Sequence, residues 1–492
     1  MISPQPDGAP LVTAPNPGRF QEEAGVRFDE HGIAPILDNE RDCSSWELFW
    51  IWTGANIAPI NWVLGALGIV LGLSLTETLI VVVVGNFFGC AIFGLFNVIG
   101  HRTAVNQMVL GRAAFGIRGA ALPAIIQGLM TMAWVGVNTW VVLDLVLAVL
   151  GQIGIHGGMG LQIIVAATIM IGQLVLALYG FYAIRSFEKY TVPVTVLVMI
   201  VMTVIALTHS EINWASHSSL SSSDKITAIT QLATAIGIGW GLTWIPYAAD
   251  YSRFVRPNIS AARVFWSSAG GMFLPTVWLA ALGACLASVS GNADPSALVV
   301  ETFGVLAIPV LLLIMHGPIA TNILNLYSCS LAALSIGIRV PRWKLTLFAG
   351  VVASAVLAVF VNATSFAHAF DSWMVSILVW ISPWAAIVLT DYYLVRRRVL
   401  WVPELYASGE GTNQGTVRIG ALFSLSIGIL AAWSWQYGTV PAMQGPLARA
   451  FENTDLSWLA GALVAAMSYY ISERLRRASV SAEAEQQVIG SR

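Results

Sequence analysis

Twelve apolar stretches separated by short polar gaps occupy the chain from residue 46 to residue 473. About 20 mainly apolar residues carry a helix across a hydrocarbon core roughly 30 Å thick. The pattern predicts such spans at 46–72, 77–99, 119–149, 160–184, 190–209, 226–250, 264–289, 302–336, 345–362, 366–394, 419–437 and 457–473, numbered below as segments 1 to 12. Lipid offers backbone groups no water partners, so runs of this length are read as helices. No gap exceeds about 25 residues, well short of the roughly 50 that a small inserted domain requires. Function must lie among the helices.

Charge adds orientation. Of the 24 Lys and Arg residues, 22 fall in the two tails or in alternate gaps, the exceptions being Lys225 and Arg449. Short basic loops stay cytoplasmic. Residues 1–45 and 474–492 are therefore expected as cytoplasmic tails of a multi-pass protein in the plasma membrane. The first tail is polar and holds Pro4, Pro6, Pro10, Pro15, Pro17 and Pro35, without the basic start and short apolar core of a secretory signal. Hydrophobic residues make up 57% of the chain and charged residues 10%, against about 25% charged in soluble domains. The lipid bilayer is the expected surrounding. A net charge of −2 with basic residues spread over many gaps gives no nucleic-acid partner. Cys43, Cys90, Cys285 and Cys329 show neither metal-ligand spacing nor a disulfide framework.

Two segments carry Gly and Pro near mid-span. Segment 1 contains Gly54-Ala55-Asn56-Ile57-Ala58-Pro59, and segment 6 contains Gly237 through Pro246, with Gly239, Gly241, Trp240 and Trp244 between. Glycine loosens the backbone and proline removes a donor, so either stretch can unwind where neighbours satisfy the freed groups. Segments five apart enter the membrane in opposite senses. Segments 1 to 5 (46–209) and 6 to 10 (226–394) are thus candidates for an inverted repeat with broken first helices, followed by two further helices at 419–473. Paired interruptions of this kind point to a transporter's midplane site. Close packing and simple kinking are the bland alternative.

Polar residues within the spans fall at the same depth. Trp134 and Asn138 share a helical face at i and i+4, with Trp134 about 15 residues, or about 22 Å, from either end of segment 3. Segment 8 brings Gly317, Pro318, Thr321, Asn322 and Asn325, and segment 1 brings Asn56. Aromatic faces with amides and no fixed charge suit a flat, neutral, hydrogen-bonding ring. Asp144 and Asp371 lie toward outer ends, where an interfacial role is expected; His316 is more central, where helix packing competes with proton handling.

The motifs resemble the nucleobase-cation symporter family 1, purine-cytosine permease branch. The likeness rests on RFDEHGIAPILDNERDCSSWELFWIWTG from Arg27 to Gly54 and on GHRTAVNQMVLGRAAFGIRGAALP from Gly100 to Pro123. It continues through Trp134-Val135-Gly136-Val137-Asn138, Trp244-Ile245-Pro246-Tyr247-Ala248-Ala249-Asp250-Tyr251-Ser252-Arg253 and Thr321-Asn322-Ile323-Leu324-Asn325. The resemblance implies an all-α membrane protein with the five-plus-five inverted repeat of the leucine-transporter type plus two C-terminal helices. It implies cation symport of a nucleobase or related heterocycle such as cytosine, a purine, allantoin or hydantoin, by alternating access. By position, Trp134 and either Trp240 or Trp244 would sandwich the ring, while Asn138 and Asn322 or Asn325 bond its edge. No cofactor is implied beyond a coupling ion, H+ or Na+. The sodium positions carried over from the family are Gly54, Ile57, Gly317, Ala320 and Thr321, of which Ala320 supplies no side-chain oxygen, favouring a proton. A sensor or channel on the same scaffold is the alternative. A membrane enzyme would need an acid or metal cluster that the sequence lacks.

Overall fold

The computed structural model describes residue 29 and residues 31–209, 211–214, 217–290, 299–300, 303–361, 366–406, 417–437 and 444–490. Helices lie on all twelve predicted stretches. Among the described residues nine single helices are long and apolar enough to span a membrane, ten when a bent pair is counted as one span. The eleventh segment is the shorter apolar helix Ile419–Ser434, and the twelfth opens the helix Ser457–Gly490.

Local chemistry sets the starts. Ser44 accepts from the backbone of Glu47 and Glu47 answers at Ser44, a capping box that begins segment 1. Ser74 and Glu77 do the same for segment 2, Leu75–Thr103. Lys225, one of the two basic residues outside the charge pattern, is neutralised by Glu77 at 2.7 Å.

Segment 1 is broken as its Gly/Pro content predicts. Ser45–Asn56 and Pro59–Val70 meet at 59°. Segment 6 differs: Ser222–Ser252 counts as one span, interrupted by a π turn at Ala233–Gly237 and a 3-10 turn at Ile245–Tyr247. Within the π turn, Asn86 of segment 2 donates to the carbonyl of Ile236 at 2.7 Å, pairing a group of the distorted backbone.

The boundary between segments 4 and 5 also departs from expectation. Segment 4 is Met159–Tyr179 and segment 5 starts at Phe181, nine residues ahead of the predicted 190. Gly180 supplies the turn at φ +79°, a left-handed conformation open to glycine. Arg185, Glu188 and Lys189 therefore belong to a helix and not to a loop.

Segment 7 packs on both halves of segment 1 and on segment 2, segment 3 packs on 8 and 9, and segments 11 and 12 pair beside 10. Segments 4 and 5 turn Ile163, Ile164, Ile171, Leu197, Val201 and Val204 outward, the apolar exterior expected of a surface in lipid.

At the basic end of the bundle the first tail is stitched into the helices. Cys43 bridges Val255 in a short parallel pairing. Arg253 donates to the carbonyl of Gly32 and to the Tyr327 hydroxyl, and that hydroxyl donates to Asp29 at 2.7 Å. Arg342 reaches the carbonyls of Ala177 and Leu178. Burial alone would raise the pKa of Asp29, but the His31 hydrogen bond, the Arg253 charge, the Tyr327 hydroxyl and the Arg342 charge hold it well below the usual carboxylate range. Arg112, read from sequence as a loop cation, is buried and donates to the carbonyls of Leu405 and Ser335.

Candidate functional site

The break in segment 1 leaves a small cavity. Ala55, Ala58 and Ile60 line it from one side and Trp134 and Asn138 of segment 3 from another. Segment 6 contributes Trp240, Thr243, Trp244 and Tyr247, and segment 8 contributes Thr321 and Asn325. None of these residues is charged. The elements supply them for simple reasons of spacing: Trp134 and Asn138 are one turn apart, and Trp240, Trp244 and Tyr247 follow at i, i+4 and i+7 on one helical face. Sequence reasoning missed Tyr247 and Thr243, although that same spacing would have found Tyr247.

Both segment 6 tryptophans reach the cavity, but they do different things. The ring of Trp240 meets that of Trp134 edge-to-face, with centroids 6.5 Å apart at 87°. Its Nε1 donates to Asn56 Oδ1 at 2.7 Å, and Asn56 Nδ2 donates to the Trp52 carbonyl. Asn56 thus stands behind Trp240 and fixes its ring. Trp244 instead packs edge-to-face on Trp52, 5.8 Å away, and tilted against Tyr247.

The amides of segment 8 also separate. Asn325 lines the cavity, and its Nδ2 has no hydrogen-bond partner. Asn322 turns into the packing between segments 3, 4 and 8. Its Nδ2 donates to Val135 O, Thr139 Oγ1 and Gln173 Oε1, and its Oδ1 accepts from Asn138 Nδ2 at 3.1 Å. Buried polar groups are normally paired; Asn322 meets that expectation by orienting Asn138, whereas Asn325, a lining residue, keeps an Nδ2 without a partner among the described residues.

Of the five positions suggested for sodium, Gly317 and Thr321 of segment 8 lie against the broken segment 1. A Cβ at Gly317 would lie 1.6 Å from the Ile57 carbonyl oxygen, so segment 8 rests directly on the broken helix. The Thr321 hydroxyl donates to the Ala55 carbonyl at 2.8 Å. Ala320 presents only a methyl. Hard cations take shells of oxygen ligands, and Ala320 leaves this set one side-chain oxygen short of such a shell.

Of the acids weighed from sequence, Asp144 is exposed, and the side chain of Asp371 lies outside the described residues. Among the described residues no group of three or more His, Cys, Asp and Glu could hold a metal. All four cysteines are free and buried. One carboxylate whose burial the sequence did not reveal is Glu188, fully buried beside Gly54 and His316. In sequence it stands between Arg185 and Lys189 and reads as part of a polar gap.

The protein YxlA of Bacillus subtilis is 23% identical over 456 residues, covering 91% of this chain and 96% of that one. The purine-cytosine permease FCY2 of Saccharomyces cerevisiae is 24% identical over 396 residues, covering 76% and 72%. Among solved structures, Mhp1, a nucleobase-cation-symport-1 family transporter in a closed conformation with bromovinylhydantoin bound, superposes with a TM-score of 0.72. It is 21% identical, over 90% of this chain and 95% of that one. The shared fold is the polytopic helical bundle with an inverted repeat. Residues 35–461 match the family of permeases for cytosine/purines, uracil, thiamine and allantoin, and the chain belongs to that family.

Proposed function

We propose that this permease imports a nucleobase or a closely related flat heterocycle by cation symport, through alternating access to the cavity at the break of segment 1. The observation that carries the reading is the lining: two indoles in edge-to-face contact, an Asn325 Nδ2 without a hydrogen-bond partner among the described residues, an Asn138 amide held by Asn322, and no charged side chain. A neutral ring needs π faces and edge donors or acceptors, and a fixed charge would have to be desolvated without a partner. The edge-to-face contact of Trp134 with Trp240 closes the space on itself. Entry of a ring requires one indole to turn so that both present their faces, with Asn138 and Asn325 reading the ring edge and Tyr247 and Trp244 closing the far side. Segments 1–5 (46–209) and 6–10 (226–394) act as the two repeats, with the helices at 419–473 alongside and both termini at the cytoplasmic face.

The test is a competition uptake screen in cells expressing the protein, with cytosine, uracil, adenine, hypoxanthine, allantoin and hydantoins against a radiolabelled member of the set. Saturable uptake of at least one compound, competed by its close analogues, is expected. Binding without uptake would point instead to a sensor, and neither binding nor uptake would remove the heterocycle reading altogether.

A further inference from the structure

Glu188 is fully buried, and among the described residues neither of its carboxylate oxygens has a hydrogen-bond partner. It sits two turns into segment 5 and lies against the last turn of Ser45–Asn56. A Cβ at Gly54 would fall 1.8 Å from Glu188 Oε2, so glycine is what lets the carboxylate reach the backbone there. That turn is the C-terminal end of a half-helix, where carbonyl groups concentrate partial negative charge. The backbone N–H of Ile57 is shared between the carbonyls of Thr53 and Gly54, and among the described residues the Thr53 hydroxyl has no hydrogen-bond partner.

Among the described residues the only ionisable side chain paired with the carboxylate is His316 of segment 8, whose Nε2 is 3.6 Å from Glu188 Oε2, too far for a hydrogen bond. That nitrogen is bonded to Thr191 Oγ1 at 2.6 Å, and the ring stacks on Phe187 with centroids 5.1 Å apart. Among the described residues the other elements packed on segment 5 bring no cation to it. Segment 1 carries Glu47, which is engaged by Arg185 of segment 5 itself, together with Asp42. Segment 7 carries Arg263 at its far basic end, Lys189 is exposed, and neither segment 4 nor the helix Ala307–Ile314 holds a charged residue.

A buried carboxylate beside a helix C-terminus is a deep negative potential with no fixed positive charge to offset it, and intramembrane acids in that condition mark ion pathways. We infer that Glu188 supplies the fixed negative charge of the coupling-cation site, neutralised during transport by a monovalent cation, a proton or a sodium ion, held between the segment 1 break and His316. This rests on the symporter reading above. It puts the charge on segment 5, against Gly54 and His316. It also gives coupling a physical route. The cation would sit against the last turn of the half-helix whose Ala55 lines the cavity and takes the Thr321 hydrogen bond, so cation and heterocycle would bias the same broken element.

The protein reconstituted in liposomes, with an imposed pH gradient in one arm and a sodium gradient in the other, tests this. Glu188→Gln keeps the shape and removes the charge, and is expected to lose about tenfold or more of the accumulation in whichever arm drives the unsubstituted protein. Lys189→Gln, exposed on the same helix, is expected to accumulate normally. A second measurement needs no heterocycle: the melting temperature of the solubilised protein, titrated with sodium chloride against choline chloride and taken from neutral to acid pH. The cation-dependent shift should vanish in Glu188→Gln and survive in Glu188→Asp, which retains the charge and so separates loss of the site from misfolding. Accumulation by Glu188→Gln within about twofold of the unsubstituted protein, or an unaltered cation-dependent shift, would overturn the inference. A protein that takes up no heterocycle yet shows a Glu188-dependent shift would sink the symport reading and leave the cation site standing.

Discussion

At the scale of single residues, the cavity works by leaving few polar groups and pairing all but the useful ones. Asn138 is held by Asn322, which is itself saturated by segments 3 and 4, so Asn138 presents its remaining edge without rotating away. Asn138→Ala removes that edge and strips Asn322 Oδ1 of its donor. Leaving a buried polar group unpaired costs about 1 to 3 kcal/mol, so apparent affinity for the transported ring is expected to fall roughly 5- to 150-fold, measured as the concentration giving half-maximal uptake. Trp134 and Asn138 were legible in the sequence because one turn of helix fixes which side chains share a face. The choice between Asn322 and Asn325 was not, because both lie on the buried side of segment 8 and only the neighbours decide. Glu188 was hidden for a different reason. Flanked by Arg185 and Lys189 it looks solvated, and its burial follows from where Gly180 lets the helix begin.

At the scale of elements, the signature from Trp244 to Arg253 does two jobs. Its first half lines the cavity, and its second half fastens the basic end: Asp250 accepts from the Gln107 backbone, Tyr251 donates to the Leu324 carbonyl, and Arg253 joins Tyr327 and the tail. Asp29, Arg253 and Tyr327 thus tie the tail to segments 6 and 8 beneath the cavity. Hydrogen bonds to charged groups are worth about 1.5 to 3 kcal/mol, so Asp29→Asn is expected to shift the closed-to-open ratio at this end by roughly 10- to 150-fold. Labelling of Cys329 in a background lacking the other three cysteines should accelerate accordingly. The sign with pH follows from the depressed pKa of Asp29. Its contribution is present above the unfolded value of about 3.9 and is lost only as pH falls below that through the lower folded value, so the fastening should hold through mildly acid conditions. The break in segment 1 could be read from Gly54 and Pro59. The milder course of segment 6 could not, because its distorted backbone is paired from another helix, as where Asn86 donates to the Ile236 carbonyl.

At the scale of the whole molecule, hydropathy and charge located the helical stretches while placing the start of segment 5 nine residues late, and the likeness to the permease family gave their arrangement. What hydropathy cannot supply is depth and contact: Arg112 belongs by charge to a basic gap, yet it is buried between Leu405 and Ser335. A topology test is therefore better placed at Arg118, which is exposed. A cysteine there is expected to resist an impermeant thiol reagent in intact cells and to react once the membrane is permeabilised; labelling in intact cells would reverse the orientation. The central claim, that a flat ring stacks within the cavity between segments 3 and 6, is tested most directly by the uptake affinity of Trp134→Ala. Loss of an aromatic stacking face should weaken binding by about 1 to 3 kcal/mol, or roughly 5- to 150-fold, in protein that still reaches the membrane and elutes as a single folded species. Unchanged apparent affinity in such folded protein would contradict the account and place the substrate elsewhere.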